Sequence, residues 1–237
     1  MALPMSNAPG TPMGTQQFQR LQGASMSFVA GYVDTLGFIA LFGLFTAHIT
    51  GNFILLAASL ADAGQTPWPL KLWAFPAFIL GVAAARLLVA GCERRGVAAT
   101  KPTCLLQLVL LLGFMIFGML AEPVGRRAAA LAVAAGMLGA AAMGAHGAAG
   151  KLLLSHLAPT SMMTGNVTQL VIDTVDRLRG AAAAATRARC GKLLLPVLAF
   201  ASGCAAAAFA YLALGFVALA VPVAVLCLLL WLPEPPM

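Results

Sequence analysis

The sequence predicts an all-α integral membrane protein, a polytopic helical bundle built from two repeats. Of its 237 residues, 61% are hydrophobic and only 9% are charged, whereas a soluble domain of this size carries about a quarter charged residues. Long apolar stretches alternate with short connections that contain Pro, Gly or paired Arg, which is typical of membrane helices joined by loops. The third observation is the recurrence of the tripeptide Thr-Gly-Asn in both halves of the chain.

Eight apolar segments follow residues 1–20, which are rich in Pro, Gly, Gln and Met and are expected to form a mobile tail. Segments three, four, five, seven and eight are nearly free of charge and have about 19–23 residues, enough to cross a hydrocarbon core of about 30 Å. The first segment is also long enough but contains Asp34. The segments cover approximately 21–42, 47–62, 70–91, 103–121, 127–149, 161–176, 192–212 and 214–232.

Segments two and six differ from the other six. Only about ten apolar residues follow Asn52 before Asp62, and the amphipathic stretch after Asn166 carries Asp173 and Asp176 in its second half. A span that faces lipid does not carry two carboxylates there, because charge inside a bilayer is costly. Both segments are therefore expected to be half-helices, re-entrant pieces or helices that line a polar cavity.

The chain also repeats itself. Thr50-Gly51-Asn52 recurs as Thr164-Gly165-Asn166 (164 − 50 = 114), and each tripeptide is followed by a helix with a Phe-x-x-Gly pattern, at Phe78/Gly81 and at Phe200/Gly203. Features in the same order at nearly the same offset indicate a duplication. We therefore expect a first membrane repeat over residues 21–122 and a second over residues 123–232.

The number of spans decides the symmetry of these repeats. Arg86 lies inside an apolar segment and is left out of the count. Eight spans would make the repeats parallel and leave nine of the other cations on one face and four on the other. About six full spans plus two broken or re-entrant TGN segments would make them inverted, with ten cations against three. The stronger bias favours the inverted arrangement and puts both termini in the cytoplasm. The ten cations are Arg20, Arg94, Arg95, Lys101, Lys151, Arg177, Arg179, Arg187, Arg189 and Lys192, against Lys71, Arg126 and Arg127.

The repeated TGN tripeptide is the main candidate for a binding site. A helix that begins inside the membrane points free N–H groups and its positive dipole end into a cavity, which suits an anion or a polar solute. Asn supplies donors and acceptors there, and Thr supplies a hydroxyl. The alternative is a packing notch, in which small residues let helices cross closely. The predicted substrate-binding residues are Asp34, Thr50, Gly51, Asn52, Thr164, Gly165 and Asn166.

Asp34 is the only carboxylate within a strongly apolar span, so it must face the bundle interior, pair with a partner or stay protonated. His48 is the expected partner across a turn at Gly43, and a carboxylate with an imidazole can relay protons. The alternative is that Asp34 caps or braces a broken helix. His146 matches Asp34 in the second repeat, although a lone histidine in an Ala/Gly-rich stretch is more often a packing residue. Asp34, His48 and His146 form the predicted proton-coupling group.

Other chemistry finds no support in the sequence. The five cysteines have no CxxC spacing, and no His, Asp or Glu stands at ligand spacing from them, so no metal site is predicted. The fingerprints of hydrolases, zinc proteases and nucleotide-binding proteins are absent, so we expect neither catalytic residues nor a cofactor, and not an enzyme. The cations lie in short runs between apolar blocks, which excludes a nucleic-acid partner. The expected partners are the lipid bilayer and a small-molecule solute, and a homo-oligomer is compatible with the chain.

Gly31-Tyr32-Val33-Asp34-Thr35-Leu36-Gly37-Phe38 followed by Thr50-Gly51-Asn52 resembles the opening signature of the YoaK-like bacterial membrane proteins, a family defined only as a domain of unknown function (DUF1275). Met163-Thr164-Gly165-Asn166 is similar to the second TGN-type motif of that family, and the likeness covers roughly residues 20–232. His146 departs from it, since an amide side chain is expected there. The resemblance implies a protein of the bacterial inner membrane with about six helices, and it implies no substrate.

The function that these patterns favour is a secondary transporter for a small polar or anionic solute, with or without proton coupling. Its site would lie at the midplane between the two TGN breaks, and rocking of one repeat against the other would give alternating access. Two alternatives stay open. One is a passive channel in which two half-helices meet head to head, and the other is a non-transporting membrane scaffold or sensor partner.

Overall fold

The computed structural model describes residues 14–61, 68–124, 129–180 and 184–232, and every regular element in these ranges is a helix. The predicted all-α bundle is thereby confirmed. The first helix begins at Thr15, inside the stretch expected to be a tail, and residues 1–13 lie outside the described ranges. The elements are α1 (Thr15–Ala40), α2 (Gly51–Ala61), α3 (Trp68–Arg94), α4 (Thr100–Ala121), α5 (Ala129–Leu152), α6 (Met163–Leu178), α7 (Ala184–Leu214), a 3-10 helix (Gly215–Leu219) and α8 (Ala220–Trp231).

Two sharp turns set the lengths of these helices. Helix α1 ends where Phe42 and Gly43 adopt positive φ angles of 53° and 75°, a conformation that no helix can continue. Helix α7 ends in the same way at Gly215, with φ 58°. At Gly43 the chain folds back along α1, and after Gly215 it returns as α8.

Four stretches of the described chain are long and apolar enough to cross a bilayer, namely Leu70–Arg94, Thr100–Ala121, Ala129–Leu152 and Arg189–Trp231. The last of these contains α7, the 3-10 helix and α8. By contrast, α2 has 11 residues and is only about 16 Å long, about half of a hydrocarbon core. The chain is therefore a multi-pass membrane protein in which α2 is too short to span.

Helix α1 packs against α7 at a close crossing between the two halves of the sequence. A Cβ atom on Gly31 would lie 2.3 Å from the carbonyl oxygen of Phe200, and one on Gly203 would lie 2.3 Å from that of Phe28. Only glycine allows the two backbones to approach so closely. The two helices run in parallel, because residues 19–23 of α1 share a cavity with residues 191–196 of α7, while Ile39 shares another with Tyr211.

Helices α3 and α5 repeat this arrangement. A Cβ atom on Gly81 would lie 2.0 Å from the carbonyl oxygen of Ala141, and one on Gly144 would lie 2.2 Å from that of Phe78. The third helix of each half thus crosses the first helix of the other half. Because Phe78/Gly81 and Phe200/Gly203 are the two repeated Phe-x-x-Gly pairs, the sequence pattern marks the two crossings.

Helices α1 and α5 run antiparallel. Phe18 and Met26 of α1 share a cavity with Ala149 near the end of α5, whereas Leu41 and Leu44, beyond the other end of α1, lie against Gly136. Helices α4 and α8 close the bundle around a core in which Tyr32 donates a hydrogen bond to the carbonyl of Ala218 over 2.8 Å. The bundle therefore has one end at which α1, α4 and α7 begin, and an opposite end at which they finish.

The glycine crossings give a test of the packing. Gly81→Ala should lower the free energy of unfolding by about 1–3 kcal/mol, because the new methyl group has backbone rather than a movable side chain against it. Gly91→Ala in the same helix α3 is the control, since a Cβ atom there would meet nothing within 4 Å. Denaturant unfolding of both variants in detergent measures the difference, and equal stability of the two would contradict the crossing.

Candidate functional site

Asp34 lies near the end of α1 and is almost fully buried. The chain that turns back at Gly43 is not helical, so its N–H groups need acceptors inside the bundle. Oδ1 of Asp34 accepts hydrogen bonds from the backbone N–H groups of Thr46 and Ala47, each over 2.7 Å, and from the hydroxyl of Thr46 over 3.3 Å. The first returning segment consists of residues 41–50, between α1 and α2. One carboxylate oxygen therefore holds this segment against α1.

The other oxygen of Asp34 faces His48. The Nδ1 atom of His48 lies 2.6 Å from Oδ2, and 38% of the His48 side chain is exposed while the carboxylate is covered. The imidazole also contacts the ring of Phe200 at a centroid distance of 5.7 Å. Phe200 lies about 16 Å along the helix axis from Arg189, where the apolar part of α7 begins, or about half of a hydrocarbon core. The predicted pair of Asp34 and His48 is thus formed.

Asn52, the last residue of the first TGN, is also buried, and both ends of its amide are occupied. Oδ1 accepts a hydrogen bond from the backbone N–H of Phe45 over 2.9 Å, and Nδ2 donates to the carbonyl of the same residue over 2.7 Å. The Asn52 side chain thus provides hydrogen-bond partners for both the N–H and the C=O of Phe45, as a neighbouring backbone would. Asn52 joins the first turn of α2 to the segment that Asp34 holds.

Asn166 makes the equivalent contact in the second half. It is buried, and Nδ2 donates a hydrogen bond to the carbonyl of Pro159 over 2.7 Å. Asn166 and Pro159 stand at the offset of Asn52 and Phe45 (166 − 52 = 114 and 159 − 45 = 114). Residues 153–162, between α5 and α6, form the second returning segment. Asn166 holds this segment in the way that Asn52 holds the first.

His146 lies on α5 and is completely buried between two polar side chains. Its Nδ1 atom is 3.1 Å from Nε2 of Gln107, and its Nε2 atom is 2.9 Å from the hydroxyl of Thr160. With the Gln107 amide as donor, the imidazole is neutral and donates its one proton to Thr160. Thr160 corresponds to Thr46, so His146 contacts the second returning segment in the position that Asp34 has in the first. No imidazole corresponds to His48, because Met162 stands there.

The remaining TGN residues take no part in these buried contacts. Thr50, Thr164 and Gly165 are exposed, and Gly51 is half-buried against the ring of Phe45. The structure therefore brings Asp34 and His48 together, groups Asn52 with the same segment, and places His146 and Asn166 in the second half. Helix α2 packs on α3, and α6 packs on α7.

Asp173 of α6 is buried and forms an ion pair with Arg189, whose side chain is half exposed. Its carboxylate accepts two hydrogen bonds from the guanidinium of Arg189, one of them over 2.7 Å from Nε, and one from Gln169 over 2.8 Å. The hydrogen bonds from Arg189 hold the pKa of the Asp173 carboxyl below its usual range. This contact ties α6 to the start of the apolar part of α7. It explains why a carboxylate stands in the amphipathic segment.

Sequence reasoning missed three participants, Thr46, Gln107 and Thr160. Thr46 and Thr160 stand at the same offset as the two asparagines (160 − 46 = 114), so this recurring offset is the signal that could have found them. Gln107 has no such signal, because its partner His146 lies on another helix. Only the packing of α4 on α5 brings the two side chains together.

The family model described as "Protein of unknown function (DUF1275)" matches residues 22–232. The chain belongs to this family. One relative is the UPF0700 transmembrane protein YoaK of Bacillus subtilis (strain 168), which is 32% identical over 92 residues. The match covers 39% of this chain and 39% of the relative. No solved structure matches the chain.

The DUF1275 match includes both TGN tripeptides and all the polar contacts described above, because each of their residues lies between 22 and 232. It confirms the resemblance carried by the Gly31–Phe38 motif. The transmembrane relative agrees with the apolar helices of the bundle. The chain is therefore a multi-pass membrane protein of the DUF1275 family.

Asn52→Asp tests the bracing contact. The carboxylate keeps an acceptor for the N–H of Phe45 but offers an oxygen to the carbonyl of Phe45, so the free energy of unfolding should fall by about 1–3 kcal/mol. Thr50→Ser, two residues away and exposed, should change it little. Denaturant unfolding in detergent compares the two. Similar stability in both variants would show that the amide does not hold the segment.

The ion pair of Asp173 gives a pH dependence. A carboxyl group whose folded pKa is depressed stabilises the fold above its unfolded pKa, about 3.9, and loses this contribution as the pH falls through the folded pKa. Below about pH 4 the wild-type protein should therefore lose more stability than Asp173→Asn, which has no such group. Asp176→Asn, one turn further along α6, should keep the wild-type profile. Thermal unfolding in detergent across acid pH measures all three, and identical profiles would exclude the pair as the cause.

Proposed function

We propose that this chain is a secondary transporter, without catalytic activity, for a small polar or anionic solute, and that Asp34 and His48 couple transport to protons. The bilayer and the solute are its proposed partners, and the bacterial inner membrane is its proposed location. The proposal rests on one observation. A buried carboxylate lies 2.6 Å from a partly exposed imidazole on a non-helical segment within the bundle.

The two oxygens of Asp34 have different partners. Oδ1 is occupied by the backbone of the returning segment, whereas Oδ2 faces only His48 among the hydrogen bonds of the described residues. A proton on Nδ1 is shared between imidazole and carboxylate, and the exposed part of the imidazole can exchange a proton with water or a solute. Loss of a proton from the imidazolium leaves the Asp34 carboxylate without a compensating positive charge in the bundle, and this charge favours a different arrangement of the segment.

Asn52 and Asn166 act as positioning residues in this proposal. Their amides hold the two returning segments, so the solute is expected to contact His48 and the surface around it rather than the amides. A segment held by a few hydrogen bonds to side chains can move more readily than a packed helix. Broken helices of this kind surround the sites of many secondary transporters.

The topology proposed is six spans in two inverted repeats, with both termini in the cytoplasm. The antiparallel course of α1 and α5, which correspond in the two halves, supports inversion. The shortness of α2 supports a segment that returns to the face it came from. The cation bias supports the orientation, although Arg126, Arg127 and the side chain of Arg187 lie outside the described part of the chain.

The glycine crossings indicate which helices would move together during transport. Rocking of one repeat against the other would separate α1 from α7 and α3 from α5, the closest backbone contacts in the described bundle. Motion of the α1–α7 pair against the α3–α5 pair keeps both crossings intact. We propose this second motion for alternating access, with His48 carried between α1 and α7.

The experiment begins with a thermal-shift screen of the purified full chain against small carboxylates and uncharged polar metabolites, on both sides of neutral pH. A solute that stabilises the protein is then used for uptake into proteoliposomes under an imposed pH gradient. In Asp34→Asn, uptake with the gradient should fall to the rate without it, because the amide cannot exchange the proton. Its oxygen can still accept from Thr46 and Ala47, so the returning segment keeps its brace.

Glu93→Gln is the matched control, since Glu93 is exposed and pairs only with the exposed Arg86 among the described residues. It should leave gradient-driven uptake unchanged. Uptake that ignores the gradient in wild type and Asp34→Asn alike would favour the passive channel. Unchanged coupling in Asp34→Asn would reject Asp34 as the coupling residue, and absence of flux under any gradient would favour the scaffold.

A further inference from the structure

A cavity of about 300 Å³ lies at the end of the bundle where α1 and α7 begin. Three separate parts of the chain form it: the first turns of α1, the segment between α5 and α6, and the start of the apolar part of α7. Each part contributes one basic side chain, Arg20, His156 and Lys192 respectively. Neither the Asp34–His48 pair nor the bracing asparagines line this cavity.

The described lining of this cavity carries basic side chains without an acidic side chain to balance them. Within the described part of the chain, Arg20, His156 and Lys192 make no ion pair and no hydrogen bond, whereas Arg86 and Arg189 are each paired with a carboxylate. Two fixed positive charges around one concavity repel each other and attract an anion, and the imidazole adds a hydrogen-bonding group beside them.

Leu157, Leu195 and Pro196 form an apolar wall of the cavity, and Gln19 adds an uncharged polar side chain to the lining. Lys192 stands one turn after Arg189, where the apolar stretch of α7 begins, so the cavity lies at the level of lipid head groups. The neighbouring Leu194 and Leu198 of α7 are exposed, as expected for a surface that contacts acyl chains. Basic side chains above an apolar wall at this depth match the two ends of a phospholipid.

We propose that this cavity binds a phosphate group, held by Arg20 and Lys192 with His156 beside it. The apolar wall and the depth favour the phosphate of an anionic phospholipid, and a free phosphate ion is the other source of the same chemistry. Arg presents a forked donor to phosphate, and Lys presents a point charge. The proposal is independent of transport, because it involves neither Asp34 nor His48.

The test uses the purified full chain in neutral detergent. Native mass spectrometry measures the apparent affinity for phosphatidylglycerol, with phosphatidylcholine as the lipid without net charge, and a thermal-shift series with inorganic phosphate forms the second arm. Arg20→Gln combined with Lys192→Gln should weaken phosphatidylglycerol binding about 30-fold, since each Lys or Arg near an anionic head group contributes about fivefold. Binding of phosphatidylcholine should not change.

Two controls separate the cavity from general charge. Arg95→Gln combined with Lys151→Gln removes the same charge from exposed positions outside the cavity and should leave the affinity within about twofold. Gly191→Leu adds a bulky apolar side chain to the lining of the cavity without changing its charge, and it should fold because a Cβ atom there meets nothing within 4 Å. This variant should weaken phosphatidylglycerol binding as the cavity double variant does, and it keeps the test decisive if that double variant does not fold.

Selective loss in the cavity variants supports a lipid phosphate. Stabilisation by inorganic phosphate that the cavity variants lose, without any preference for phosphatidylglycerol over phosphatidylcholine, supports the phosphate site and assigns it to the free ion. Equal loss in the cavity and control double variants would overturn the proposal, because bulk charge would then explain the binding. Undiminished binding in Gly191→Leu would overturn it as well.

Discussion

Backbone N–H and C=O groups that leave a helix inside an apolar bundle need partners, and this constraint shapes the protein. An unsatisfied group there costs several kcal/mol. The chain meets the constraint twice, at the returning segments before α2 and α6. Asp34 and Asn52 supply partners for the backbone of the first segment. Asn166 supplies one for the backbone of the second, and His146 contacts the Thr160 hydroxyl there. The short helices α2 and α6 begin where these contacts end.

The same constraint divides the work of Asp34. Its Oδ1 atom is committed to the backbone of the returning segment, so the structural role expected as an alternative does occur. Its Oδ2 atom remains for His48. Holding the returning segment and the proposed proton coupling are therefore compatible in one side chain, because each uses a different oxygen. The second half has the brace without this pair, because His146 is enclosed by Gln107 and Thr160.

Much of the site could be predicted because its residues belong to short patterns that are visible in the sequence. The TGN offset of 114 (166 − 52 = 114) locates Asn52 and Asn166, and the lone carboxylate in an apolar span locates Asp34. The role of the asparagines could not be predicted in the same way. An amide at a helix start can bind a solute or a neighbouring backbone equally well. Only the structure shows that the backbone groups of Phe45 and Pro159 lie within hydrogen-bonding distance of these amides.

By itself the sequence determined that the chain lies in a membrane, that its second and sixth apolar segments differ from the others, and that Asp34 and His48 are candidates for a pair. These follow from composition, periodicity and short separations along the chain, which depend little on the packing of distant helices. The tertiary structure alone decided that α1 crosses α7 and α3 crosses α5, that Gln107 meets His146, and that Arg20, His156 and Lys192 surround one cavity. These contacts join residues far apart in sequence, and their geometry depends on how the helices pack rather than on any local pattern.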